Sequence, residues 1–108
     1  MTIQLPDPIN TFFEVSNGKG LERVKTCFTD NAVVLDEGGT YEGLAAIEAW
    51  VHDTRQKYQF SVKPLSIIKK DSHDRVVAEV SGNFPGSPVN LDYDFALAAD
   101  KIQSLEIS

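Results

Sequence analysis

Two acids follow an apolar run in the stretch NAVVLDEGG, residues 31–39. Residues 32–35 read as a strand, and the two-residue period of a strand puts Asp36 on one face with Ala32 and Val34. Val33 and Leu35 take the other face, and Glu37 points away from Asp36 as a solvated turn residue. If Val34 faces the interior, so does Asp36. A carboxylate partly desolvated there gains basicity and could act as a proton acceptor. The same residue also fits an inert Asx-type turn in front of two glycines. The second candidate is Tyr93 in VNLDYDFAL. It shares an alternating face with Leu91, Phe95 and Leu97, and its hydroxyl could donate a hydrogen bond or simply reach the rim of a core. Asn90, Asp92, Asp94 and Ala96 fall on the opposite face, toward solvent or a partner.

Other chemistries find little support. His73 sits in the polar stretch SHDR, and His52 lies about 140° around a helix from Ile47, facing outward. Cys27 stands beside Phe28 and reads as a small core residue. Two histidines and one cysteine at unrelated positions give no zinc-ligand spacing, so no metal site is expected. Arg23, Arg55 and Arg75 fall on helices or a turn. The chain has no Gly-x-Ser-x-Gly, no P-loop and no dinucleotide fingerprint, and no cofactor is expected.

The whole chain sets bounds on this chemistry. Its 108 residues suit one domain, residues 1–108, with a core that needs no disulfide. A net charge of −6 argues against nucleic acid and against an anionic membrane surface as partners. No apolar run approaches the length of a membrane span. MTIQLPDPIN has neither the charged start nor the apolar core of a secretory signal. With a lone cysteine, these features lead us to expect a reducing, cytoplasmic setting.

The elements that must position Asp36 and Tyr93 change character at mid-chain. In LPDPINTFFEVSNGKG, Asp7 can cap a helix with Pro8 in its first position, and Ile9, Phe12, Phe13 and Ser16 form one face. Leu21, Val24 and Phe28 suggest a second, shorter helix, and TDN then turns into the strand. After a turn at DEGGTYEG, Leu44, Ile47, Val51, Thr54 and Tyr58 make one stripe of a third helix, with Trp50 at its border. Strands follow. YQFSVKPLSIIKKD is interrupted by Pro64, which suggests an edge or a bulge. VVAEVSGNF, a PGSP turn, VNLDYDFAL and KIQSLEIS complete the series. In the last strand Ile102 and Ser104 alternate against Gln103 and Leu105. Helices first and hairpins after is the α+β pattern, an antiparallel sheet with helices on one face.

This order of elements resembles the nuclear transport factor 2-like superfamily, which includes ketosteroid isomerase and SnoaL-like polyketide cyclases. CFTDNAVVLDEGG is similar to that family's aromatic-x-Asp-Asp-Ala-x-Val-x-Asp-Pro stretch, YEGLAAIEAW to its Gly-x-x-x-Ile helix opening, and DKIQSLEI to its Gly-Lys-Ile-x-x-Leu strand. The resemblance implies a curved antiparallel sheet wrapped around about three N-terminal helices into a cystatin-like cone with an internal apolar pocket. It also implies a homodimer, here through the Val33 and Leu35 face. In ketosteroid isomerase the aspartate matching Asp36 is the general base. In that isomerase the pKa of the base is raised only modestly. Counting back from Asp36 puts Phe12 where the isomerase has a tyrosine donor, so that donor is gone. Tyr93, with Tyr41, would have to supply the hydrogen bond. Phe12, Val34, Tyr41, Trp50, Tyr58 and Phe95 would line the pocket around an apolar, carbonyl-containing small molecule. The alternative is a non-catalytic member with a collapsed pocket that serves as a dimeric ligand-binding or protein-interaction module.

Overall fold

The computed structural model describes residues 4–36 and 38–108, and of Tyr58 only the backbone. Glu37, expected as a solvated turn residue, and the side chain of Tyr58, expected at the pocket, lie outside the described residues. Helix α1 (Asp7–Ser16) leads through a 3₁₀ turn (Leu21–Arg23) into the short α2 (Val24–Cys27). Strands β1 (Phe28–Asp36) and β2 (Gly39–Glu42) precede α3 (Leu44–Tyr58). Strands β3 (Ser61–Lys69), β4 (Asp74–Ser81), β5 (Val89–Ala98) and β6 (Lys101–Ile107) follow. Among the described residues the strands form one sheet in the order β2-β1-β6-β5-β4-β3. Every pairing is antiparallel except β1 with β6. This is the expected α+β architecture.

The core lies between the helices and the inner face of the sheet. Ile9 and Phe12 of α1, Ile47 of α3, and Val34, Val76, Phe95 and Ile102 of the strands are all at most 1% exposed. Such a sheet can wrap helices only if it bends, and its register shifts supply the bends. One separates Pro64 from Ser66 at the β3 edge, where proline's missing donor does least harm. A second falls between Ala96 and Leu97, where β5 meets β6.

That second shift corrects the reading of the last strand. Phe95 pairs with Leu105 and Leu97 with Ile102, so β6 carries one extra residue between them. Ile102 and Leu105 therefore both turn inward and are buried. Leu97, expected inside with Tyr93, is 37% exposed. Other boundaries move as well. Helix α1 takes Pro6 as its cap and Asp7 into its first turn, where the carboxylate meets the positive helix end. Phe28 and the TDN residues belong to β1, because that strand extends to pair with β6. GGTYEG contains the short β2, with Asp36 opposite Gly39 and Gly38 at φ +78°. Arg75 stands on β4 rather than in a turn and pairs with Asp94 of β5 at 2.9 Å.

Asn17, just past α1, ties the helix to the sheet edge. Its amide donates to the Val62 carbonyl at 2.9 Å and accepts from the Val62 N–H at 2.8 Å. The side chain thus stands in for a neighbouring strand at one point of β3. Asn17→Ala leaves both partly buried Val62 groups without this partner. The variant is expected to lose roughly 1–3 kcal/mol in urea denaturation, with amide exchange fastest along β3.

Candidate functional site

A cavity of about 480 Å³ opens between α1, α3, the inner face of the sheet and the loop that joins β4 to β5. Its wall is mostly apolar: Phe12, Val51, Val80, Leu91 and Ile107 contribute from five different elements. Phe60 and the loop residues Phe84 and Pro85 add to it. Among the described residues four polar side chains interrupt the wall, those of Ser16, Asp36, Thr54 and Tyr93.

Asp36 reaches the cavity because β1 alternates. Ala32 and Val34 are fully buried beneath it, and Asp36, at the strand's end, is half-buried. Across from it, Trp50 of α3 donates its indole Nε1–H to Asp36 Oδ2 at 3.1 Å. Trp50 is itself 8% exposed and stacks parallel to Phe12, with ring centroids 6.2 Å apart. The carboxylate is thus held by a rigid aromatic donor from another element.

Tyr93 stands further along the inner face, 5% exposed. Burial, and next the negative charge of Asp36, push its phenol well above the ordinary tyrosine range. The hydroxyl therefore stays protonated and can only donate to an anionic oxygen. Asp36 and Tyr93 line the same cavity.

The remaining sequence candidates divide. Phe12 and Trp50 line the cavity. Val34 and Phe95 do not: both are 0% exposed, one layer deeper in the core, because neighbouring rings and strands cover them completely. Tyr41 also stays off the cavity wall, because its strand, β2, is at the sheet edge. Its ring packs on Trp50 instead, at 5.9 Å. Ser16 and Thr54 were legible as members of apolar helical stripes but were not read as wall residues. Phe84, expected as the end of the strand VVAEVSGNF, lies past the end of β4 at Ser81, in the loop that borders the cavity. His52 and His73 are exposed. No group of three metal-ligating side chains occurs among the described residues.

Cys27 is buried and donates weakly to the Val24 carbonyl at 3.5 Å. Burial pushes its thiol from an ordinary value of 9.0 up to about 12, against smaller opposing effects that include the charges of Arg23 and Lys101. The folded thiol thus holds its proton where the unfolded one releases it. The stability is full below about pH 9 and is lost as pH rises toward about 12. Denaturation is expected to show a loss of roughly 1–3 kcal/mol from about pH 9 to about pH 11. Cys27→Ala should flatten that slope.

Residues 9–99 match the SnoaL-like domain. The chain belongs to the SnoaL-like family. The domain also superposes on a proposed polyketide cyclase from Sinorhizobium meliloti with a TM-score of 0.92 and 35% identity. That match covers 96% of this chain and 95% of the other. A hypothetical protein with a ketosteroid isomerase-like fold from Catenulispora acidiphila, solved in complex with trimethylamine, gives 0.83 at 17% identity over 97% and 86% of the two chains. A proposed SnoaL-like isomerase from Agrobacterium tumefaciens gives 0.78 at 17% identity over 94% and 92%. These last two share the nuclear transport factor 2-like fold with the SnoaL-like domain described here. No curated protein is significantly similar to it in sequence. No helix among the described residues is long and apolar enough to cross a membrane.

Proposed function

We propose that this SnoaL-like domain binds an apolar, carbonyl-containing small molecule and moves a proton next to the carbonyl, as an isomerase or cyclase would. The observation that carries the reading is the Asp36 carboxylate on the wall of an apolar cavity of about 480 Å³, fixed by the Trp50 indole. Asp36 takes the proton from carbon. Tyr93, held in its protonated form, donates to the oxygen on which negative charge develops. Phe12 supplies shape and no donor. The likeness to a proposed polyketide cyclase and to a protein of ketosteroid isomerase-like fold in complex with trimethylamine supports a small-molecule occupant. The cavity volume favours this reading over a collapsed, non-catalytic module. We place the protein in the cytoplasm, in keeping with its lone, reduced cysteine.

The test is proton exchange. The protein is incubated in heavy water with a panel of cyclic ketones, and α-proton loss is followed by NMR. Catalysed exchange with at least one ketone is expected. No exchange across the panel, together with an Asp36 titration midpoint near 4, the unperturbed value, would sink the catalytic reading.

A homodimer through the outer face of the sheet completes the proposal. That face carries Leu35 at 40% exposure beside the half-buried Val33. Sedimentation is expected to give twice the chain mass of 11.9 kDa, and Leu35→Glu to return it to the single-chain value. A wild-type monomer refutes the dimer.

A further inference from the structure

We propose that the occupant of the cavity carries a hydroxyl as well as a carbonyl, and that Ser16 and Thr54 hold that hydroxyl. This rests on the proposed reading for the carbonyl end of the ligand, and not on Asp36 acting as a base. Ser16 takes the i+7 place in the stripe of Ile9, Phe12 and Phe13, where an apolar side chain would pack. It is 8% exposed, the one buried aliphatic hydroxyl among the described residues. Burying a hydroxyl is costly unless it is hydrogen-bonded. Among the described residues no bond ties the Ser16 hydroxyl, and none of their polar side-chain atoms is both enclosed and unpaired. Its oxygen therefore opens on the cavity that Ser16 lines.

The surroundings hold this place rigid. Arg55 donates to the Ser16 carbonyl at 3.2 Å, and the next residue, Asn17, makes its two bonds to Val62. Phe12 of α1 stacks on Trp50 of α3. Ser16 and Thr54 each stand four residues further, about 6 Å along their helices. The bond from Arg55 to Ser16 shows that both helices advance toward the same end of the cavity. Thr54 gives its hydroxyl proton to the Trp50 carbonyl at 2.7 Å, so toward the cavity its oxygen can only accept. Ser16 can donate. A ligand hydroxyl satisfies both, donating to Thr54 and accepting from Ser16, whereas a second carbonyl would satisfy Ser16 alone. Val51, Val80 and Val89 add apolar wall. A buried polar site of this kind rejects an analogue that lacks the hydroxyl, because its own groups are then left unpaired.

The experiment compares 4-hydroxycyclohexanone with 4-methylcyclohexanone by backbone-amide NMR titration at pH 7. Hydroxyl and methyl are close in size, so the ratio of the two affinities isolates the hydrogen bonds. The wild-type protein is expected to bind the hydroxy ketone roughly tenfold more tightly, about the worth of one good hydrogen bond. Shifts at Ser16 and Thr54 should accompany that ligand and not the methyl ketone. In Ser16→Ala, a change that favours the helix, the ratio is expected to fall to one or below. A methyl ketone bound as tightly by the wild-type protein, or a ratio unchanged in Ser16→Ala, overturns the inference. The wild-type ratio needs no variant, so a misfolded Ser16→Ala does not blunt the test. Catalysed exchange in a protein that prefers the methyl ketone removes this inference alone. Preference for the hydroxyl without any exchange upholds it and removes the base role from Asp36. Binding of neither ketone removes both this inference and the small-molecule reading.

Discussion

Asp36→Asn is expected to lower the rate of ketone α-proton exchange by roughly 10²–10⁴-fold, the usual worth of a positioned general base. The argument is local. The amide is nearly isosteric with the carboxylate and still offers an oxygen to the Trp50 indole, 3.1 Å away in the wild-type protein. It cannot accept a proton at neutral pH. Packing is therefore retained while the chemistry is lost. Unchanged thermal unfolding accompanied by loss of exchange is the expected pair of results. An Asp36→Asn protein that exchanges at the wild-type rate would move the base elsewhere. Wild-type activity should also follow pH with an acid limb set by Asp36, because only the ionised carboxylate accepts. Tyr93 imposes no alkaline limb below its own raised pKa.

Phe12→Ala is expected to be the most damaging single truncation in the fold, at about 3–5 kcal/mol. Phe12 is 1% exposed, and five other rings surround it at centroid distances of 5.3–6.2 Å. These rings come from α1, β1, α3 and β5, so Phe12 joins both helices to the sheet at one point. Removing it deletes buried area and several edge-to-face contacts together. It also merges the space left behind with the neighbouring cavity, which hinders collapse around the void. A domain of this size has only about 5–15 kcal/mol in hand, and each kcal/mol is about 4–8 °C of melting temperature. A fall of more than roughly 12 °C is therefore expected. Ile68→Ala is the control. Ile68 is 53% exposed on the β3 edge strand and should change stability by less than about 0.5 kcal/mol. A small effect at Phe12 would show that the ring is not a central support of the core.

The near wall of the site was legible in the sequence because each part obeys one local period. Alternation places Asp36 above Val34, and the α3 repeat brings Trp50 to the edge of the buried stripe. The far wall obeys no local rule. Phe60, Phe84, Leu91 and Ile107 meet only when the sheet curls, and the register shifts that curl it have no sequence marker apart from Pro64. The extra residue in β6 shows the difficulty. Strict alternation separates Ile102 from Leu105, yet the bulge brings both into the core. Strand β2 escaped for the opposite reason, since two glycines and a glutamate resemble a turn. Val34 and Phe95 were placed on the correct face, but alternation fixes a side and not a depth.

The bond from the Trp50 indole to Asp36 has a consequence for observation. The chain has a single tryptophan, so all its indole emission comes from the ring that touches the carboxylate and lines the cavity. A charged neighbour shifts and quenches that emission differently from a neutral one. The protein thus carries its own optical gauge, which reads both the ionisation of Asp36 and the filling of the space beside it, with no label attached.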